Sequence, residues 1–230
     1  MSKAWLIITG GILVILAAGI AQFLFQRIAA SPAPATLEPS PAENNSTTTP
    51  GVKEVSVSIP TRAVQKVPSI AKGDSIASWT FKGAYADNPE LIAKAQVEIK
   101  RLSDLLSTAT SSAMILSVDI ANQYELLGDG KKQYEYLERA ARTNPENGLP
   151  WHNLGVLMER LGAYETARIA YEKSTLVQSE LKFYHYAYIE FLTSRTKDDV
   201  VSIEKAFAFA EKNIGKTQYL IDLRAEWEKS

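Results

Sequence analysis

The feature that most constrains this chain is an internal repeat. Tyr124-Glu-Leu-Leu-Gly128 returns 34 positions later as Met158-Glu-Arg-Leu-Gly162. In the same register Leu137-Glu-Arg-Ala140 falls on Tyr171-Glu-Lys-Ser174, and Ile120-Ala121 falls on Leu154-Gly155. Identities at Glu125/Glu159, Leu127/Leu161, Gly128/Gly162 and Glu138/Glu172 hold that register. A fixed period of this length with a glycine near its middle describes two helices joined by a turn. One such hairpin cannot bury its apolar face alone, so the units must stack on one another.

Within the second unit the residues are more specific. Trp151-His-Asn-Leu154-Gly155 and the pair Ala167 and Tyr171 follow a Trp-x-x-Leu-Gly then Ala-x-x-x-aromatic pattern, and Pro145 closes the preceding unit. On these residues the chain resembles the tetratricopeptide repeat (TPR) family. The physical reading agrees. Gly155 and Ala167 are small enough for two helices to approach to about 8–10 Å. Trp151, Leu154 and Tyr171 fill the space around the crossing, Gly128 and Gly162 permit the turns, and Pro145 stops a helix. The expected fold class is all-α, a TPR-like helical-hairpin solenoid, preceded by a single N-terminal transmembrane helix and a disordered linker.

The repeats are expected at 114–147 and 148–181, with a degenerate unit at 182–216. That third unit lacks the Trp and Gly features and needs about two extra residues near Thr196 to Asp199. Asp87-Asn88-Pro89-Glu90 is a helix start, with an amide to cap, proline in the first turn and an acid to complement the dipole. Ile92, Ala95, Ile99, Leu102 and Leu106 then form one apolar stripe, so residues 73–113 read as an irregular lead-in and an N-terminal capping helix. The lead-in, with Trp79, Phe81 and Tyr85, is expected to pack on the first helices. A last helix from Gln218 to Glu228 caps the other end, giving one domain of about eight helices from Asp87 to Lys229.

The N-terminal part is of another kind. Ala4 to Phe25 is a run without charge. At about 1.5 Å per residue it matches the thickness of a bilayer core. It exceeds the apolar length of a cleaved signal peptide, although Gly19-Ile20-Ala21 would serve as a cleavage site. Residues 1–28 are therefore read as an anchor. The N-terminus and Lys3 favour a cytoplasmic start and Arg27 opposes it. The expected topology is a single-pass membrane protein with the C-terminal domain outside the cytoplasm. Residues 29–72 are rich in Pro, Ala, Ser and Thr and are expected to be a disordered tether.

Composition excludes several chemistries. Of 230 residues none is cysteine and two are histidine, His152 and His185, so thiolate catalysis, disulfides and zinc–cysteine sites are ruled out. The net charge of −1 gives no overall attraction to nucleic acid. Ser69-Ile-Ala-Lys72 has the form of an acyl-enzyme motif, but it lies in the expected tether without companion motifs. No catalytic, cofactor or metal site is expected.

The TPR resemblance implies a groove lined by the first helix of each pair. On that resemblance Asn122, Glu125, His152, Asn153, Val156, Glu159, Phe183 and Tyr186 face the groove. Asn122 and Asn153 stand where family members that clamp a peptide carboxylate have asparagines. The basic partners are missing, since Val118, Phe183 and Tyr186 occupy those positions, so a carboxylate clamp is not expected. Asn153 is equally suited to bond between neighbouring helices. The run Phe183 to Tyr188 suits either an aromatic binding anchor or core filling. The expected function is a non-enzymatic, membrane-anchored scaffold that binds a protein or peptide through this groove. Its alternatives are a self-assembling homo-oligomer and a receptor for organellar import.

Overall fold

The computed structural model describes residues 69–229. The anchor expected at 4–25 and nearly all of the expected tether lie outside the described residues. Among the described residues there are eight helices: α1 (Pro89–Thr108), α2 (Ala113–Leu127), α3 (Gly130–Thr143), α4 (Gly148–Arg160), α5 (Tyr164–Val177), α6 (Lys182–Arg195), α7 (Val200–Ile214) and α8 (Gln218–Trp227). None of them is long and apolar enough to cross a membrane. From α1 to α7 each helix packs on the next in sequence, α8 packs on α6, and the pairs α2–α3 and α4–α5 pack most extensively. The array is thus a series of hairpins at the expected period. The expected third unit is also a hairpin, α6–α7, and its longer connection falls at Thr196–Asp199.

Local chemistry explains the boundaries. Asn88 caps α1 by accepting from the Glu90 and Leu91 amides at 3.1 and 3.2 Å. Asp129, Asn147, Asp199 and Thr217 cap α3, α4, α7 and α8 in the same way. Gly128 and Gly162 lie at φ of 79° and 76°, the left-handed conformation that the two turns require.

One large core runs from α2 to α8. It includes Leu137, Trp151, Leu154, Tyr171, Ile189, Phe191, Phe207 and Leu220. A smaller one joins Leu102 and Leu106 of α1 to Ile120 of α2, and the half-buried Tyr136 packs against both. The main hairpin crossing is as tight as the small residues imply. A Cβ on Gly155 would lie 2.7 Å from the Tyr171 ring. Trp151 fills the adjoining space, and its indole N–H donates to the Pro145 carbonyl at 3.0 Å.

Two expectations need correction. The tether was expected to reach residue 72, yet Ile70 already packs against the core and the Ala71 amide donates to Thr166 Oγ1 at 2.9 Å. The lead-in also reaches further than the first helices. Helix α5 begins after Ala163, which has no capping side chain. Asp74 takes that role from 92 residues away, accepting from the Thr166 amide and hydroxyl, each at 2.7 Å, and from the Glu165 amide at 3.3 Å. Partial burial works against the Asp74 charge, but these hydrogen bonds outweigh it and hold the carboxyl below its ordinary range. The resulting stabilisation is present at neutral pH and is lost as pH falls from the ordinary carboxylate value through the lowered one.

The two kinds of glycine should respond differently to substitution. Gly155→Ala should cost about 1–3 kcal/mol, because a buried ring must shift, and Gly155→Val should cost more. Gly162 has open space around it, so Gly162→Ala should cost only the backbone conformation, about 1–2 kcal/mol. Urea unfolding of the three variants checks the order.

Candidate functional site

The candidate face is built on the first helix of each hairpin, α2, α4 and α6. Two ion pairs tie these helices together. Arg160 of α4 donates to Glu125 of α2 at 2.8 Å, and Arg195 of α6 donates to Glu159 of α4 at 2.8 Å. The acids are 34 residues apart and the arginines 35, so the tie recurs with the repeat. Glu159 also accepts from the buried Tyr171 hydroxyl at 3.0 Å. At the end of the series Tyr219 of α8 donates its hydroxyl to Glu190 of α6. Such half-exposed pairs contribute on the order of 1 kcal/mol each at most, so they set register more than stability.

These contacts divide the eight expected groove residues. Glu125 and Glu159 are engaged between helices and offer no free charge. Tyr186 is half-buried; its hydroxyl donates to Thr217 Oγ1 at 2.9 Å and its ring lies 4.6 Å from Tyr219, so the start of α8 covers it. Val156 is half-buried against the core. His152, expected at the groove, is only 8% exposed. Its ring lies 4.6 Å from Phe183, 5.6 Å from Tyr171 and 5.8 Å from Tyr184. Its Nδ1 is buried without a hydrogen-bond partner among the described residues. Burial pushes its pKa down to about 4, so the ring is neutral at physiological pH.

Three residues remain available. Asn122 and Asn153 are partly exposed on successive first helices. Phe183 is 53% exposed although its ring lies against His152. Its neighbours Tyr184 and Tyr188 are buried, so the aromatic run is divided: two rings fill the core and Phe183 meets solvent. Val118, where a clamp would have a lysine, is buried at 2%.

The second histidine is structural as well. His185 is buried, bonds through Nε2 to the Ser179 carbonyl at 2.8 Å and lies 5.5 Å from the Phe209 ring. No cluster of metal-binding side chains occurs among the described residues. Ser69 and Lys72 are both exposed, without the burial that a lysine base needs. An open pocket of about 480 Å³ lies between α1 and the end of α2, lined by Ile92, Gln96, Ile99, Tyr124, Leu127 and Asp129.

Sequence reasoning missed Arg160, Arg195 and Asp74. The arginines carried a signal, a near-repeat of the same period beside two repeated acids. Asp74 carried none, because nothing in its neighbourhood points to a helix start some 90 residues on.

Protonation of His152 gives a measurable consequence. Between its ordinary value of 6.5 and about 4 the unfolded chain binds a proton that the folded chain does not. Stability therefore falls as pH drops across that window, by about 3 kcal/mol in all. His152→Phe should flatten most of this slope. His185, also lowered by burial, should leave a remainder of the same sign. Urea midpoints between pH 4.5 and 7.5 measure both.

No protein-family model matches the chain, and no curated protein matches it. A chain in a solved structure described as the CopN-Scc3 complex superposes with a TM-score of 0.43 at 16% identity, covering 56% of this chain and 84% of that one.

Proposed function

We propose that this chain is a membrane-anchored scaffold without catalytic activity, which binds a protein or peptide across the first-helix face of TPR-like repeats. The observation that carries this reading is an unburied side chain on each of three successive first helices: Asn122 on α2, Asn153 on α4 and Phe183 on α6. Two amides supply donors and acceptors for a backbone, and an exposed ring supplies an apolar anchor. Glu125 and Glu159 of the same helices are paired with Arg160 and Arg195. The ligand this favours is an uncharged stretch of extended chain with an apolar side chain placed for Phe183. Two histidines in structural surroundings and the absence of cysteine support binding over chemistry.

A pull-down with residues 69–230 tests the face. Asn122→Ala/Asn153→Ala/Phe183→Ala should reduce recovery of a specific partner at least tenfold while keeping the helical fold by far-UV circular dichroism, with about 1–2 kcal/mol of unfolding free energy lost where the Phe183 ring covers His152. Equal recovery of every specific partner by the variant would reject the assignment.

The anchor and its topology belong to the same proposal, supported by the uncharged run of residues 4–25 and the Pro-rich segment after it. In this reading the domain lies outside the cytoplasm. Protease added to the extracytoplasmic side of intact membranes should digest it, and protection there would put the repeats in the cytoplasm, as an import receptor requires.

A further inference from the structure

The segment that precedes α1 touches both of the first two hairpins. At the α2–α3 turn it makes three backbone hydrogen bonds: the Phe81 amide donates to the Gly128 carbonyl at 3.1 Å, the Gly130 amide to the Trp79 carbonyl at 2.8 Å, and the Tyr85 amide to the Leu126 carbonyl at 3.0 Å. On the second hairpin Asp74 and Ala71 hold Thr166 at the start of α5. Side chains bridge the same gap. The Trp79 ring lies 5.4 Å from Tyr134 of α3. The Arg160 guanidinium of α4 sits 4.7 Å from the Phe81 ring and pairs with Glu125 of α2. A Cβ on Gly83, Gly128 or Gly130 would come within 2.3, 2.0 or 2.7 Å of backbone across this contact. The close fit is thus built into both surfaces. Among the described residues the junction between the second and third hairpins has no such segment; helix packing and the Glu159–Arg195 pair hold it.

The geometry points to residues 70–85 as a strap that joins the first two hairpins into one cooperative unit, leaving α6–α8 as a second unit that opens more easily. In a stack of repeats, cooperativity is set by the interfaces between neighbours. The strap reinforces the first of these with its own hydrogen bonds and half-buried rings, and does not reach the second. It also makes the segment just before α1 an integral part of the domain. One functional consequence rests on the groove reading: Asn122 and Asn153 sit on the rigid unit, while Phe183 sits on the unit that can adjust to a ligand.

Native-state hydrogen exchange on the full chain, followed by mass spectrometry through a series of urea concentrations, tests this. Amides of α2–α5 and of Phe81, Tyr85 and Gly130 should share one opening transition, and those of α6–α8 should open at lower urea. Asp74→Ala, which removes every side-chain acceptor at the start of α5, should raise exchange about five- to tenfold throughout the first unit, the effect of losing a helix cap, and change α7 and α8 by less than twofold. Phe81→Leu, which keeps an apolar side chain there and removes the ring under Arg160, should act on the same set and serves if Asp74→Ala does not fold. A rise confined to Glu165 and Thr166 would reduce Asp74 to a local cap and overturn the strap. A single transition shared by all helices in the wild type would overturn the two units. Neither outcome bears on whether the face of Asn122, Asn153 and Phe183 binds a partner, which the pull-down decides separately.

Discussion

The close crossing of α4 and α5 is the constraint on which the rest of the array depends. Gly155 has no side chain, so the Tyr171 ring can lie directly against the α4 backbone. That contact places the Tyr171 hydroxyl on Glu159. Glu159 in turn receives Arg195 from α6. A single missing Cβ therefore sets the spacing inside one hairpin and the polar tie to the next. Protein interiors are packed too densely for such a crossing to loosen by degrees.

The carboxylates of the first helices illustrate how a repeat changes the meaning of a residue. Glu125 and Glu159 repeat at the period of the fold, which at first suggests a shared binding role. In the folded chain they repeat because the interface between first helices repeats, and each is matched by an arginine from the following unit. Tyr186 is withdrawn from the face for a related reason. Helix α8 packs on α6 and brings Thr217 and Tyr219 to it. Of the expected face, Asn122, Asn153 and the exposed Phe183 ring remain unburied.

The strap adds an asymmetry that the repeat alone does not have. Stacked hairpins interact with nearest neighbours only, and their helix starts are ordinarily capped by a residue at or near the start itself. Here α5 is capped from the segment before α1, which crosses the α2–α3 turn on the way. The end of the array nearest the expected tether is thereby the better fastened one.

The sequence by itself determined the helical content, the period, the two glycine turns and the start of α1, because each rests on residues within one or two helical turns of one another. Asn88 caps the helix that follows it, and Gly128 takes the left-handed conformation that its turn demands. It also separated the chain into an uncharged run, a Pro-rich stretch and a repeat region, since composition is a local property. Only the tertiary structure decided which members of the candidate face are free. His152, Glu125, Glu159 and Tyr186 are occupied by partners 31 to 36 residues away. The role of Asp74 lay furthest from reach. A carboxylate in an irregular segment carries no mark of the helix it will cap, and only the return of the chain across two hairpins brings the two together.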